Sequence, residues 1–261
     1  MILLNNTAIT KDDFSEKIFE DSLSIYEVVR IFKGKPIFLS DNLQRLDNSL
    51  KKSNIHVDVK SLNIPEKLMH FIGLEHITEG NLKYVLHFKQ AQPDEYIFQI
   101  PHSYPTARDY EQGVPTMTFP AVRENPGVKY INTDLRTLSN RLIHENQVYE
   151  ILLVDRDGFI TEGSRSNVFF IKGDVLYTAP VEYVLPGTSR KRVIEICKIC
   201  HCPVEEKRIA LTDLAGYDAA FLSGTSPLIL PINRIDKIQF DPQNPLLQKL
   251  MKEYFTLLQN S

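Results

Sequence analysis

Two short segments carry residues suited to holding an anion. Leu185-Pro186-Gly187-Thr188-Ser189-Arg190 places a glycine and two hydroxyls directly ahead of a helical apolar pattern, Val193, Ile194, Ile196, Cys197, Ile199 and Cys200. The start of a helix presents unpaired N–H groups and a partial positive charge, so a phosphate monoester is a suitable guest. Ser223-Gly224-Thr225-Ser226-Pro227 follows the apolar run Ala219 to Leu222 and ends a strand in small hydroxyl residues. Taken singly, the first reads more readily as an N-cap and the second is also a common turn; two in one region favour a phosphate reading. Other chemistries lose their supports. The eleven glycines form no GxGxxG, no GxxxxGK[ST] and no GxSxG. Cys197-Lys198-Ile199-Cys200-His201 matches the spacing of c-type haem attachment. However, the three cysteines follow the helical stripe and read as small core residues. His56, His70, His76, His87, His102, His144 and His201 are dispersed, with no HExxH pair, and no metal site is expected.

The elements that must carry these groups follow from the pattern. Ile25 to Phe32 and Pro36 to Leu39 read as a hairpin around Gly34. Ser40 or Asp41 is expected to cap a helix bearing Leu43, Leu46 and Leu50, and Pro65 to open another through Leu68, Phe71 and Ile72. Strands are expected over Leu82 to Phe88 and Glu95 to Ile100. Residues 101–115 are rich in polar and turn residues and mark a boundary. A smaller N-terminal α/β domain, residues 1–106, is expected, then a linker, 107–114, and a larger C-terminal domain, 115–261. The latter begins with a strand at Thr116 to Ala121, a helix from Asp134 to Gln147 and a strand at Tyr149 to Asp155. Asp157-Gly158 forms a hairpin turn, and Asn244 and Pro245 start a terminal helix with Leu247, Leu250, Met251, Tyr254 and Leu258 on its stripe. Strands and helices without strict alternation favour an α+β or mixed α/β fold. With 261 residues, 43% hydrophobic and 24% charged, the chain has ordinary globular composition. A net charge of -3 gives no footprint for nucleic acid. No apolar run approaches the ~18 residues of a membrane span. The N-terminal Met1-Ile2-Leu3-Leu4-Asn5-Asn6 lacks the basic region of a signal peptide, so a soluble cytoplasmic protein is expected.

Three sets of residues together resemble a known family. Tyr26-Glu27-Val28-Val29-Arg30 is followed, after a Gly turn, by Asn42-Leu43-Gln44-Arg45-Leu46. Val128-Lys129-Tyr130-Ile131-Asn132 precedes Tyr149-Glu150-Ile151-Leu152-Leu153 and Thr161-Glu162-Gly163-Ser164-Arg165-Ser166-Asn167-Val168-Phe169. The Leu185 and Leu222 segments complete the set. In order and spacing these resemble the class IV (fold type IV) pyridoxal-phosphate enzymes, which include branched-chain aminotransferases, D-amino-acid aminotransferases and aminodeoxychorismate lyases. The resemblance spans nearly the whole chain. It implies pyridoxal 5'-phosphate as cofactor, with Lys129 forming the aldimine and moving the substrate proton. Glu162 would pair with the pyridine nitrogen, Leu185 would pack on the ring, and Arg45, Thr188, Ser189 and Thr225 would bind the phosphate. Tyr26 and Ser226 would face the substrate. Lys83 is either a receptor for the substrate carboxylate or an outward strand charge.

The implied activity is transfer of an amino group between an amino acid and a 2-keto acid. The alternative is 4-amino-4-deoxychorismate lyase, releasing pyruvate and 4-aminobenzoate; a non-catalytic cofactor-binding homologue is a further one. Retention of both Lys129 and Glu162 weighs against that last option. Family members pair as homodimers, which implies the same here. Several positions depart from the D-amino-acid enzymes. Their carboxylate trap of Arg and His near Pro93 is replaced by Asp94 and Tyr96. The usual His three residues before Arg45 is Asn42, and Phe88-Lys89 stands where an Arg-Gly pair is common. These departures argue against a standard D-alanine enzyme.

Overall fold

The computed structural model describes residues 1–259 other than Lys11, Asp13, Ala91, His102 and Ser103. His102, one of the dispersed histidines, therefore lies outside the described residues, as does Ser103 of the expected boundary. The chain divides into two compact units: Met1–Ser103 with Val128–Thr133, and Tyr104–Gly127 with Asp134–Ser261. Two details differ from the sequence expectation. The Lys129 segment groups with the first unit, because its backbone is bonded there. Residues 107–114, expected as a linker, begin with a helix opened by a capping box between Thr106 and Asp109.

In the first unit, strands β1 (Ile2–Leu4), β2 (Thr7–Ile9), β3 (Ser24–Phe32), β4 (Lys35–Pro36), β5 (Gly80–His87) and β6 (Asp94–Ile100) form one sheet in the order β2-β1-β6-β5-β3-β4. All neighbours are antiparallel. Lys33 and Gly34 both have positive φ (49° and 74°), so the β3–β4 turn takes the primed form that suits strand twist. The second strand of that hairpin is shorter than the pattern suggested, ending at Pro36. Ile25, Val29 and Ile31 of β3 face helices α1 (Leu39–Lys52) and α2 (Ile64–Leu74), with Leu46, Leu50, Leu68 and Phe71 in the shared core. Complete burial of Leu46 alone contributes roughly 1.5–3 kcal/mol. Neither Ser40 nor Asp41 caps α1. It begins at Leu39 after Phe38, whose left-handed backbone (φ 54°) turns its carbonyl to accept the Asp41 and Asn42 N–H groups. The other face of the sheet is aromatic, with Phe19, Tyr96 and Phe98 buried and Phe14 and Tyr26 beside them.

The second unit contains helices α3 (Ala107–Gln112), α4 (Thr133–Asn146), α5 (Thr188–Ile199) and α6 (Pro245–Gln259), α4 starting one residue earlier in the chain, at Thr133. Its strands are β7 (Val114–Pro120), β8 (Glu150–Val154), β9 (Phe159–Gly163), β10 (Asn167–Lys172), β11 (Val175–Thr178), β12 (Val204–Glu206), β13 (Ile209–Ala210), β14 (Ala219–Gly224), β15 (Leu228–Ile235) and β16 (Ile238–Gln239). They form a mixed sheet ordered β12-β11-β10-β14-β15-β7-β8-β9-β13, with β16 on β15. The unbroken apolar run Ile151 to Val154 is buried on both sides, as a central strand requires. On α6, Leu247, Leu250, Met251, Tyr254 and Leu258 are buried as the spacing predicts. On α5, Val193, Ile196 and Cys197 are buried, but Ile199 is 73% exposed, so the stripe ends one turn earlier than its apolar spacing suggested. Burial pushes the Cys197 thiol well above the usual cysteine range, which suits an inert core residue.

Candidate functional site

In the first unit, α1 carries a second stripe beside its leucines: Asn42, Arg45 and Ser49, polar yet buried. It is buried because β3 offers it a partner. Glu27 occupies a position whose alternation points it at α1, and Arg45 grips it with two hydrogen bonds, Nε to Oε1 at 2.8 Å and Nη2 to Oε2 at 2.5 Å. Asn42 adds Nδ2 to Oε2 at 2.8 Å and reaches the Val28 carbonyl at 3.2 Å. Burial disfavours the guanidinium charge, but Glu27 outweighs it and holds Arg45 above its ordinary pKa. Nη1 lies outside this fork. One turn on, Ser49 accepts the Lys129 N–H at 3.2 Å, while the Lys129 carbonyl accepts the Tyr26 N–H at 3.0 Å. Both backbone groups of Lys129 are thereby fixed. Its ammonium lies 4.6 Å from the centre of the Tyr26 ring.

Lys83 is not an outward charge. It pairs across the sheet with Val28 and Phe98, on the aromatic face, and is buried. Its Nζ lies 5.2 Å from the Tyr26 ring centre, so Tyr26, Lys83 and Lys129 form one group. Tyr26 and Glu27 are consecutive strand residues, so their side chains leave β3 on opposite faces, Tyr26 toward Lys83 and Glu27 toward Arg45. The departing positions have other partners. Asp94 accepts from Asn5 Nδ2 at 2.8 Å, and Tyr96 packs edge-on against Phe19.

In the second unit, Glu162 is the next-to-last residue of β9 and almost fully buried. Arg123 Nε donates to its Oε1 at 2.6 Å, and the Leu185 N–H donates to its Oε2 at 3.1 Å. Arg123 is further fixed on the Ser164 carbonyl through Nη2 at 3.1 Å. The turn after Glu162 is built on another buried carboxylate. Glu150 accepts the hydroxyls of Ser164 and Ser166 and the N–H groups of Ile151 and Arg165. Asn167, opposite Ser223 in the β10–β14 register, donates Nδ2 to the Leu185 carbonyl at 3.0 Å. It also sits so close to Gly187 that a Cβ there would collide with its Oδ1. The two hydroxyl segments recognised in the sequence thus meet around Asn167. Gly187 is the N-cap of α5 without a side-chain cap bond, Thr188 and Ser189 are buried in the first turn, and no acidic residue stands in that turn. Thr225 and Ser226 follow β14, half-buried.

Sequence reasoning did not single out Glu27, Arg123, Glu150 or Asn167 for these roles. Glu27 carries a signal, a lone acid in the buried phase of Ile25, Val29 and Ile31, and Glu150 heads a wholly apolar strand. Arg123, 39 residues before Glu162, carries none. Among the described residues no group of three or more His, Cys, Asp or Glu side chains is arranged to hold a metal. No described helix is long and apolar enough to cross a membrane.

The family model "Amino-transferase class IV" matches residues 24–235. The chain is 26% identical to a D-alanine aminotransferase of Bacillus licheniformis, across 95% of this chain and 91% of that one. It is 23% identical to the aminodeoxychorismate lyase of Bacillus subtilis, across 85% and 80%. Its fold matches the branched-chain amino acid aminotransferase of Escherichia coli with a TM-score of 0.83 at 22% identity, covering 98% of this chain and 93% of that one.

Proposed function

The chain belongs to the class IV aminotransferases, and on that premise we propose that it is a pyridoxal-phosphate-dependent aminotransferase moving an amino group between an amino acid and a 2-keto acid. The observation that carries this reading is the fixing of Lys129, whose backbone is bonded on both sides while its amine stays on the Tyr26 ring.

The residues present suit the cofactor. The first turn of α5 offers N–H groups and two hydroxyls, carries no acid, and has at Gly187 a position where a Cβ would displace the Asn167 side chain. That donor set fits a phosphate dianion. A buried carboxylate held between Arg123 and the Leu185 N–H fits a protonated ring nitrogen. When bound, pyridoxal phosphate supplies a carbonyl carbon for the amine and a ring that accepts the electron pair of the broken α C–H bond. Lys129 would hold the cofactor through Nζ, be released by the incoming amine, take the α-proton on Nζ and give it back one carbon away. Glu162 would keep the ring nitrogen charged. Thr188, Ser189, Thr225 and Nη1 of Arg45 would hold the phosphate, and Leu185 would pack on the ring. Tyr26, Lys83 and Ser226 would face the substrate.

A second reading, 4-amino-4-deoxychorismate lyase, uses the same Lys129. It is favoured over a D-alanine enzyme by Asn42, Asp94 and Tyr96, which stand where those enzymes differ and are engaged in other contacts. We also read the protein as a cytoplasmic homodimer, after its family; sedimentation gives the mass. The test of function is a half-reaction screen of the cofactor-loaded protein with L-amino acids, D-amino acids and aminodeoxychorismate. Stoichiometric conversion to the pyridoxamine form with release of a keto acid identifies the transaminase. Release of pyruvate and 4-aminobenzoate with the yellow band restored identifies the lyase. No spectral response to any donor contradicts both.

A further inference from the structure

Lys83 has a cage and a counter-ion. Its ammonium lies 5.2, 5.6 and 5.7 Å from the ring centres of Tyr26, Phe98 and Phe19. Aromatic faces attract a cation but do not neutralise it, and a buried ammonium also needs an anion. Glu16 supplies one, its Oε2 lying 2.5 Å from Nζ. Glu16 comes from a short 3-10 turn, Glu16–Glu20, started by Ser15, whose hydroxyl accepts the Lys17 N–H. Phe19 of that turn is buried in the aromatic cluster, stacked on Phe98 and edge-on to Phe14. The turn is therefore anchored through Phe19. Glu16 itself is not: its side chain is 50% exposed, against 11% for Lys83.

The two partners differ in what separation costs them. Glu16 can turn into water and be hydrated at once. Lys83, walled by three rings, can be satisfied only by another anion entering the same seat. That seat borders Tyr26, the ring on which the Lys129 amine rests at 4.6 Å. A molecule with a carboxylate on Lys83 would thus share the Tyr26 ring with the reactive amine. Two carboxylates on one caged ammonium would leave excess negative charge where water is scarce.

We propose that Glu16 is an internal occupant of the substrate-carboxylate seat on Lys83, and that the carboxylate of an amino acid donor displaces it. This rests on the reading of Lys129 as the residue that works on amino donors. Glu16 then selects against weakly held anions, and the seat makes carboxylate-bearing amino acids the substrate class in preference to simple amines.

The experiment is calorimetric titration of the full chain, cofactor-loaded and cofactor-free, with propionate, a carboxylate that cannot react. Wild type, Glu16→Gln and Lys83→Met are compared. Removing the competing charge should tighten propionate binding about fivefold or more in Glu16→Gln, and Lys83→Met should abolish it. The Glu16→Gln gain should reappear as a lower KM for an amino acid donor and be absent for a primary amine lacking a carboxylate. A merely structural Glu16 would move thermal stability and leave this contrast flat. Unchanged or weaker propionate binding in Glu16→Gln overturns the proposal, as does undiminished binding in Lys83→Met. If Lys83→Met does not fold, the comparison of Glu16→Gln with wild type decides alone. Failure of the functional reading looks different: the order of propionate affinities stands, while no donor alters the cofactor spectrum.

Discussion

Half-buried Arg123 and buried Glu162 form an ion pair with a 2.6 Å hydrogen bond from Nε to Oε1, and Glu162's other oxygen accepts the Leu185 N–H. Glu162 is thus an oriented carboxylate, fixed through both of its oxygens. Glu162→Gln should still take up cofactor but lose about 100-fold or more in turnover, roughly 3 kcal/mol of transition-state stabilisation. Arg123→Met, which leaves Glu162 buried without its cation, should weaken cofactor binding about tenfold in a spectral titration. A wild-type rate from Glu162→Gln contradicts its role on the ring nitrogen.

The Arg45–Glu27 fork makes a prediction about stability. Glu27→Ala strands a buried guanidinium and leaves Asn42 with one partner fewer. It should cost about 3–5 kcal/mol, read as a lower urea midpoint. Arg45→Ala should be similarly destabilising and should also weaken cofactor affinity, which Glu27→Ala affects only through folding.

Gly187 tests the phosphate cup. Its φ of -63° is open to any residue, so only the neighbouring Asn167 side chain forbids a Cβ. Gly187→Ala should push Asn167 off the Leu185 carbonyl and weaken cofactor binding about tenfold, about 1.4 kcal/mol. Gly73→Ala, on α2 where a Cβ meets open space, should leave cofactor affinity unchanged.

His87 predicts a pH dependence of stability. It is fully buried beside Phe19, with Nδ1 2.8 Å from Ser24 Oγ and Nε2 3.3 Å from Asp21 Oδ1; Lys89 and Asp94 are the other charges near it. Burial outweighs the attraction of Asp21 and holds its pKa below the ordinary histidine value. The folded state therefore prefers neutral His87. Its contribution is full above the unfolded pKa of about 6.5 and is lost as pH falls through the lower folded value. Melting temperatures should fall more steeply below pH 6.5 in wild type than in His87→Gln. Parallel curves would show that His87 is not the group responsible.

What the sequence discloses follows periodicity. The leucines of α1 and the stripe of α6 are visible because burial there repeats with the helix. The hydroxyl clusters at Thr188 and Thr225 are visible because they interrupt apolar runs. Asn42, Arg45 and Ser49 also repeat with the helix, but as polar residues they read as a solvated face. Only the β3 register, which brings Glu27 over α1, shows them to be buried. Arg123 with Glu162, and Asn167 with Gly187, are pairings between segments that no local pattern connects. The Phe38 carbonyl starts α1 from a left-handed backbone that no capping preference anticipates. Lys83 stayed open between two readings for the same reason: its neighbours Phe19 and Glu16 arrive from a segment over sixty residues away.

The central claim is that Lys129 carries the cofactor. Borohydride reduction of the cofactor-loaded protein, followed by peptide mass mapping, tests it directly. The account predicts one reduced adduct, on Lys129, with loss of the yellow band, and none in Lys129→Ala. An adduct on another lysine in the wild-type protein, or its persistence in Lys129→Ala, would contradict it.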